Sequence, residues 1–333
     1  VSGPQPEPES PDQEGAGEQP GEGRVNVNQP APTVVICGPF DPAGRASLEQ
    51  AGLSVRAFPD FTPEAERAAR GASALIVRSH TPVTAELMDR CPLLRAIGRP
   101  GSGTERVDTA GAEARGIAVV SAPGANAPTV AEHTLALILA LTRRLAPLFE
   151  GLREGRWEKA GYEGSELAGR NLALIGLGRV GRAVALRARS FGVRLRAHDP
   201  WLEPDRAVAA GVELTGLEDL LREADIVSLH APLTPETTGL LDTRRLALLP
   251  RGALVVNTAR GALIDEAALL AALESGQVGG AALDVHAEEP PGATALLTHP
   301  RVIATPHVAG TGPRARAEAA RIVAERLIEI VVP

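Results

Sequence analysis

Between Thr33 and about Pro123 the chain alternates short apolar runs (VVIC, LSVRAF, ALIV, LLRAIG, GIAVV) with stretches such as FTPEAERAARG and VTAELMDRC, which are rich in helix formers. Runs this short, separated by helical patterns, predict strands of a parallel sheet covered by helices. A long helix is predicted from Thr129 to Leu145 in TVAEHTLALILALTRRL. It is apolar on more than one face, so it is expected between domains or at a subunit contact. A second alternating run starts at Leu172, with strands predicted over 172–176, 193–198, 226–230, 253–257, 280–285 and 302–304. The last segment, RARAEAARIVAERLIEIV, has helical apolar spacing and is expected to pack back on the first domain. The pattern therefore predicts an α/β protein of two doubly wound parallel-sheet domains. Residues 33–123 with 312–333 form one, and residues 124–311 are inserted into it as the other.

The 333 residues, 44% of them apolar, suit two globular cores. Aromatic residues make up only 2%, which leaves Leu, Val, Ile and Ala to fill those cores. Residues 1–32 stand apart, with seven prolines, five glycines and six acids against one arginine. They offer too little apolar surface to offset the entropy of ordering and are expected to be a disordered acidic tail. That segment carries −5 of the formal net charge of −7, so the remainder is near neutral and has no basic block. Nucleic acid and membranes are not expected as partners. No apolar run reaches membrane-spanning length, and the start lacks the basic-then-apolar order of a secretory leader. Cys37 and Cys91 have no metal-ligand spacing and read as buried free thiols of a cytoplasmic protein. Lys159 is the single lysine. Schiff-base and P-loop chemistry both require a positioned lysine, so both recede, and a bound anion is expected to meet arginine instead.

The stretch LALIGLGRVGRAVALRARSFGVRLRAHDP, from Leu172 to Pro200, reads as strand, glycine turn, helix and strand. GLGRVG sets Gly176, Gly178 and Gly181 at the spacing of a dinucleotide fingerprint. The first glycine permits the tight turn, the second lets backbone approach a pyrophosphate, and the third brings helix against strand. The helix starting near Arg179 would point free N–H groups at the phosphates. Asp199 ends the next strand and is placed to accept both ribose hydroxyls and to repel a 2′-phosphate. No arginine directly follows it, so NAD is favoured over NADP.

Charged side chains are then expected at three strand ends of the second sheet, where open parallel sheets bind ligands. ALVVNTARG delivers Arg260, AALDVHAEEPP delivers Asp284, His286, Glu288 and Glu289, and VIATPHVAG delivers His307. Oxidising a secondary alcohol needs a base for the hydroxyl proton, and His307 suits that because a free imidazole titrates near ~6.5. A carboxylate on the far ring nitrogen fixes the tautomer, with Glu289 the choice. Arg260 can hold a substrate carboxylate bidentately and polarise a neighbouring carbonyl. A rival reading makes Asp284, His286 and Glu288 metal ligands, but no third ligand is clearly placed, and no metal is expected.

At these residues the chain resembles the D-2-hydroxyacid dehydrogenase family, across nearly everything from Thr33 onward. ALIVRSHTPVT, GRPGSGTERVD, VAEHTLALILALTRR, GLGRVG, HAPLTPETTGLL, NTARGALIDEAAL, GAALDVHAEEPP and TPHVAG follow in the family's order and spacing. The resemblance implies an NAD-binding Rossmann domain inserted into a flavodoxin-like substrate domain, in a short form without a C-terminal regulatory domain. It implies Arg260, Glu289 and His307 as the catalytic set, choosing Glu289 over Glu288. Beyond the glycines it implies cofactor contacts at Ser102, Arg179, Val180, Asp199, Ala231, Pro232, Thr258, Ala259, Asp284 and Gly310. Arg78 and Arg99, with the backbone of Ser79 and Gly101, fall where members hold the substrate's acid groups. Lys159 falls where the phosphoglycerate-oxidising branch brings a basic residue from a partner subunit, and members are homodimers through the NAD-binding domain.

The expected reaction is NAD-dependent oxidation of a D-2-hydroxy acid, with 3-phosphoglycerate, which begins serine synthesis, as first choice. Glyoxylate or hydroxypyruvate reduction is the alternative. A non-catalytic NADH-sensing co-repressor, with the tail as its interaction arm, is the reading from another class. The chain also departs from the family loop, which usually reads like G-R-A-G-T-G-V-D-N-V-D. Pro100, Ser102, Thr104, Glu105 and Arg106 replace the common residues, and His286 stands where an aromatic is usual.

Overall fold

Short apolar strands build two sheets in the computed structural model, which describes Gly3 and residues 31–332 apart from positions 158, 204, 206, 208 and 209. All of the expected tail but residues 3, 31 and 32 lies outside the described residues. In the first sheet, β1 (Thr33–Cys37), β2 (Ser54–Phe58), β3 (Ala74–Ile76), β4 (Ala96–Arg99) and β5 (Ala118–Ser121) run parallel in the order β2-β1-β3-β4-β5. The second comprises β6 (Asn171–Ile175), β7 (Arg194–His198), β8 (Glu213–Leu214), β9 (Ile226–Leu229), β10 (Ala253–Asn257), β11 (Val278–Leu283) and β12 (Val302–Ala304). Its order is β12-β11-β10-β9-β6-β7-β8, again all parallel, and reverses direction between β6 and β9. This is the doubly wound α/β class that the sequence predicts.

Each sheet is buried on both faces. In β6, Ala173 and Ile175 enter one core while Leu172 and Leu174 enter the other. In β1, Val35 and Cys37 face one side and Val34 and Ile36 the opposite one. Such strands read as continuous apolar runs, which is why they were visible in sequence. The strands towards the sheet edges differ: β2 is largely exposed, β7 alternates, and the two-residue β8 has no apolar run.

The helix Ala127–Thr142 starts two residues and ends three residues earlier than predicted. Within the chain it lies on the second sheet, packed against the helix Arg179–Ala188 and against β10 and β11. It stops because its last carbonyls find other donors. The Tyr162 hydroxyl donates to the Arg143 carbonyl, and Ser165 N–H donates to that of Thr142. Arg144 then turns left-handed (φ 49°), and a separate helix runs over Leu145–Arg153.

After β12 the helix Pro313–Val331 packs on the first sheet. Ala319, Val323, Ala324, Leu327 and Val331 are buried there among Val34, Ile36, Ala74, Ile76 and Ala96. Gly98 in β4 permits this approach, because a Cβ there would come within 2.7 Å of Val323. Each fully buried Val or Leu on this face contributes about 1.5–3 kcal/mol. Glu105, past the end of β4, pairs with Arg260, past the end of β10, so the carboxyl edges of the two sheets meet there.

Candidate active site

Most helices that open with a polar residue are capped by it, as at Asp41, Thr62, Thr84, Asp108, Asp242 and Asp265. The helix Arg179–Ala188 is different. Its N-cap is Gly178, no side chain caps it, and a Cβ built on Gly178 would meet nothing within 4 Å. The amides of its first turn have no side-chain cap and Gly178 adds no side chain beside them, which suits an anion. The flanking glycines are required by backbone. Gly176 has φ +93°, and a Cβ there would lie 2.7 Å from the His230 carbonyl oxygen. A Cβ on Gly181 would strike the Gly176 carbonyl. Asp199 accepts from Leu177 N–H at 2.8 Å and Trp201 N–H at 3.1 Å, so the acid ending β7 braces the glycine turn. These features fit a dinucleotide. Ala231 and Pro232 follow β9 beside this turn, where the Thr237 hydroxyl donates to the Pro232 carbonyl. The Arg179 side chain lies against Gly124, and Val180 packs at the margin of the core.

Three adjacent strands deliver the ionisable groups. After β10, the buried Asn257 folds the turn, its amide donating to the Arg260 carbonyl (2.8 Å) and its oxygen accepting from Ala259 N–H (3.0 Å). Thr258 shares a 2.9 Å hydrogen bond with Thr134 of the long helix. After β11 come Asp284, His286 and Glu289, and after β12 comes His307. His307 Nδ1 and Glu289 Oε2 are 2.7 Å apart, and the second Glu289 oxygen accepts from His286 N–H. Burial alone would raise the Glu289 carboxyl, but the hydrogen bonds from His307 and the His286 backbone outweigh it and hold it below the usual range. The carboxylate therefore fixes the Nδ1 proton of His307. Nε2 has no protein partner among the described residues, and the imidazole is half exposed.

His307 has φ +51°, a left-handed backbone that a residue with a Cβ adopts at a cost of about 1–2 kcal/mol. Asp284 holds it there. Its carbonyl accepts from His307 N–H, and its fully buried carboxylate accepts from the Thr305 hydroxyl (2.5 Å), Val308 N–H (2.9 Å) and Ala309 N–H (2.8 Å). The carboxylate is thus turned to the loop of His307. His133, from the long helix, reaches Thr305 at 3.2 Å. His286 fills its position as a buried ring and sets Nε2 3.1 Å from the Thr305 carbonyl. Glu288 is exposed, and among the described residues no cluster of three or more His, Cys, Asp or Glu could hold a metal.

The first sheet contributes cations. Arg78 lies over Gly38 and donates to the Pro39 carbonyl, and Ser79 beside it is exposed. Arg99 ends β4, with Gly101 N–H turned back on its carbonyl. Burial, then the like charges of Arg78 and Arg260, lower the Arg99 guanidinium, which places all three arginines within electrostatic reach. Ser102 donates to Asn126, and a Cβ on Gly310 would also meet Asn126, so that residue bridges both loops. Lys159 is exposed. Asn126, His133, Asn257 and Thr305 were missed in sequence. Asn257 and Thr305 carried a signal, since each is a polar residue at or just past an apolar strand's end.

A two-domain α/β protein with a dinucleotide turn and an Arg–Glu–His constellation at one sheet edge defines a class of nicotinamide-dependent oxidoreductases. The sequence profile of the D-isomer specific 2-hydroxyacid dehydrogenase NAD binding domain matches residues 135–309. The chain belongs to that family and carries its NAD-binding domain. It is 38% identical over 299 residues to the D-3-phosphoglycerate dehydrogenase of Homo sapiens, covering 90% of this chain and 56% of that protein. The chain thus spans little more than half the length of that relative. Among solved structures it is similar to the TT0316 protein of Thermus thermophilus, with TM-score 0.82, 37% identity, and 90% and 96% of the two chains covered. A glyoxylate reductase from Paecilomyes thermophila has the same TM-score at 28% identity, with 91% and 96% covered.

Proposed function

We propose that this chain is an NAD-dependent dehydrogenase of D-2-hydroxy acids, with 3-phosphoglycerate as the favoured substrate. The observation that carries the reading is the 2.7 Å pairing of His307 Nδ1 with Glu289, which leaves the other ring nitrogen available as a base. NAD, when bound along the glycine turn, supplies the hydride acceptor. The first-turn amides of the helix capped by Gly178 would hold its pyrophosphate and Asp199 its ribose. Arg260 orients the substrate carboxylate beside His307. His307 Nε2 takes the hydroxyl proton, and Glu289 stabilises the charge this leaves on the ring. In the reverse direction the imidazolium returns that proton while Arg260 polarises the carbonyl. Arg78 and Arg99 supply cations for a second acid group, which favours phosphoglycerate over glyoxylate or hydroxypyruvate. Pro100 and Glu105 in the loop beside them keep the smaller acids as the second reading.

Phe149, Leu152 and Trp157 are 57%, 59% and 80% exposed in and just after the helix Leu145–Arg153, an apolar patch that supports a homodimer through this domain. No helix among the described residues is long and apolar enough to cross a membrane. The buried, unpaired Cys37 and Cys91 support a cytoplasmic location. The test is NADH absorbance against 3-phosphoglycerate, hydroxypyruvate, glyoxylate, pyruvate and longer 2-oxo acids. Absence of turnover with every acid refutes the enzyme and leaves the NADH-binding regulator.

A further inference from the structure

Glu105 lies in the loop that departs from the family pattern, and it has a specific partner. Its Oε1 accepts two hydrogen bonds from the Arg260 guanidinium, 2.8 Å from Nε and 2.6 Å from Nη2, across the gap between the two sheets. Arg260 Nη1 donates to the Ala259 carbonyl at 2.7 Å. All three guanidinium nitrogens are therefore engaged. Nε and Nη2 form the side-on edge of the fork that a carboxylate ligand can use. Gly103 makes room for the pair, since a Cβ there would fall on the Glu105 carboxylate and lie 2.9 Å from Arg260 Nη2.

We propose that Glu105 is an internal competitor for the substrate's carboxylate, occupying Arg260 until an acid displaces it and so deciding which ligands the site accepts. This rests on the reading of Arg260 as the residue that binds that carboxylate. A carboxylate ligand replaces Glu105 one for one; in its paired position Glu105 also feels the charge of Arg99. A neutral ketone or aldehyde that displaced Glu105 would leave the half-buried guanidinium without its anion, which costs free energy. The same residue thereby weakens the binding of every acid and selects against ligands that bring no acid at all.

The probe is oxalate, which pairs a carboxylate with a second oxygen function as a 2-oxo acid does, titrated calorimetrically into the whole chain. Hydroxyacetone, which has no carboxylate, is the control. Glu105→Gln should bind oxalate about two- to fivefold more tightly, the scale of releasing a half-exposed ion pair, with hydroxyacetone unaffected. Glu105→Ala should move in the same direction. In an Arg260→Gln background the gain should vanish, because the two side chains act on one site. Equal or weaker oxalate binding by both Glu105 variants would show that Glu105 orients Arg260, and would overturn the proposal. A gain that survives Arg260→Gln would reduce it to bulk charge, and no measurable oxalate binding by any variant also defeats it. Unchanged melting temperatures confirm the fold, since Glu105 is exposed. If wild-type protein turns over no 2-oxo acid but oxalate follows this pattern, the dehydrogenase reading fails alone. Turnover without the Glu105 effect sinks only the competitor.

Discussion

Replacing Asp284 by Asn separates two roles that the residue can have. The family resemblance implies a contact with the cofactor, whereas the geometry makes it the anchor of the loop that presents His307. The carboxylate accepts from Thr305, Val308 and Ala309 at 2.5, 2.9 and 2.8 Å, with no solvent exposure. An Asn amide keeps one acceptor oxygen but turns an NH₂ towards at least one of these donors. One orphaned buried donor costs about 1–3 kcal/mol, and trading a charged acceptor for a neutral one costs about 1 kcal/mol more. The expected loss is about 2–4 kcal/mol, or roughly 3–6 °C in melting temperature for a protein of this size. The left-handed backbone of His307 adds a reason for the loop to relax once its anchor weakens. Turnover should therefore fall about 10–100-fold, a 1 Å displacement being enough for such a loss. NADH affinity, read from nicotinamide fluorescence, should stay within about threefold, since the helix amides and Asp199 are untouched. A variant with normal melting and normal saturating turnover but tenfold weaker NADH binding would refute the anchoring argument.

His307→Ala should lower kcat about 10²–10⁴-fold while NADH binding is retained, and equal loss of cofactor affinity would make His307 structural. Arg260→Lys should lower kcat/KM about tenfold or more, because a point charge cannot reproduce a fork; near-normal kinetics would count against the carboxylate clamp. Burial beneath the glycine turn pushes His230 down to about 4. Above the free value near 6.5 neither state holds the proton, and below it the unfolded chain takes one up that the folded chain does not. Stability should therefore fall by up to about 3 kcal/mol as pH drops from 6.5 to 4, and His230→Gln should flatten that slope in thermal melts at pH 7 and pH 4.5.

The central strands of both sheets, such as β1, β3, β6, β9 and β10, were legible because they are buried on two faces and so read as apolar runs. The end of the long helix was not. Its apolar pattern continues through Leu145, and what stops it is a hydroxyl on Tyr162, nineteen positions after Arg143. The same division holds at the site. His307, Glu289 and Arg260 announce themselves as charged residues just past apolar runs, so chemistry and position coincide. The residues that hold them do not. Thr305 and Asn257 share that position at or past an apolar strand's end, but they act through a hydroxyl and an amide, side chains equally at home in any turn, so position alone does not give them a role. His133 acts from a helix distant in sequence, so nothing local marks it. Glu105 was legible as a departure from the family loop, but its partner Arg260 lies 155 positions away.

The arginine cluster can decide between the two substrate readings. Arg260 belongs to the second sheet, whereas Arg78 and Arg99 sit at the carboxyl edge of the first, and the only charged pair among these residues that crosses the gap is Glu105 with Arg260. An acid that displaces Glu105 removes that tie. A substrate with a phosphate at its far end can restore it, holding Arg260 with its carboxylate and Arg78 or Arg99 with its phosphate. A short 2-oxo acid such as glyoxylate cannot. Arg78→Gln and Arg99→Gln should therefore raise KM about 10-fold or more for 3-phosphoglycerate, each charge-assisted contact being worth about 1.5–3 kcal/mol. For glyoxylate the same variants should raise it about twofold, through loss of general attraction alone. Arg99 is the stronger test, since its guanidinium is partly buried against two like charges and gains most from an added anion. Equal losses for both acids would mean that the cluster only attracts anions, and would return the preference to the small 2-oxo acids.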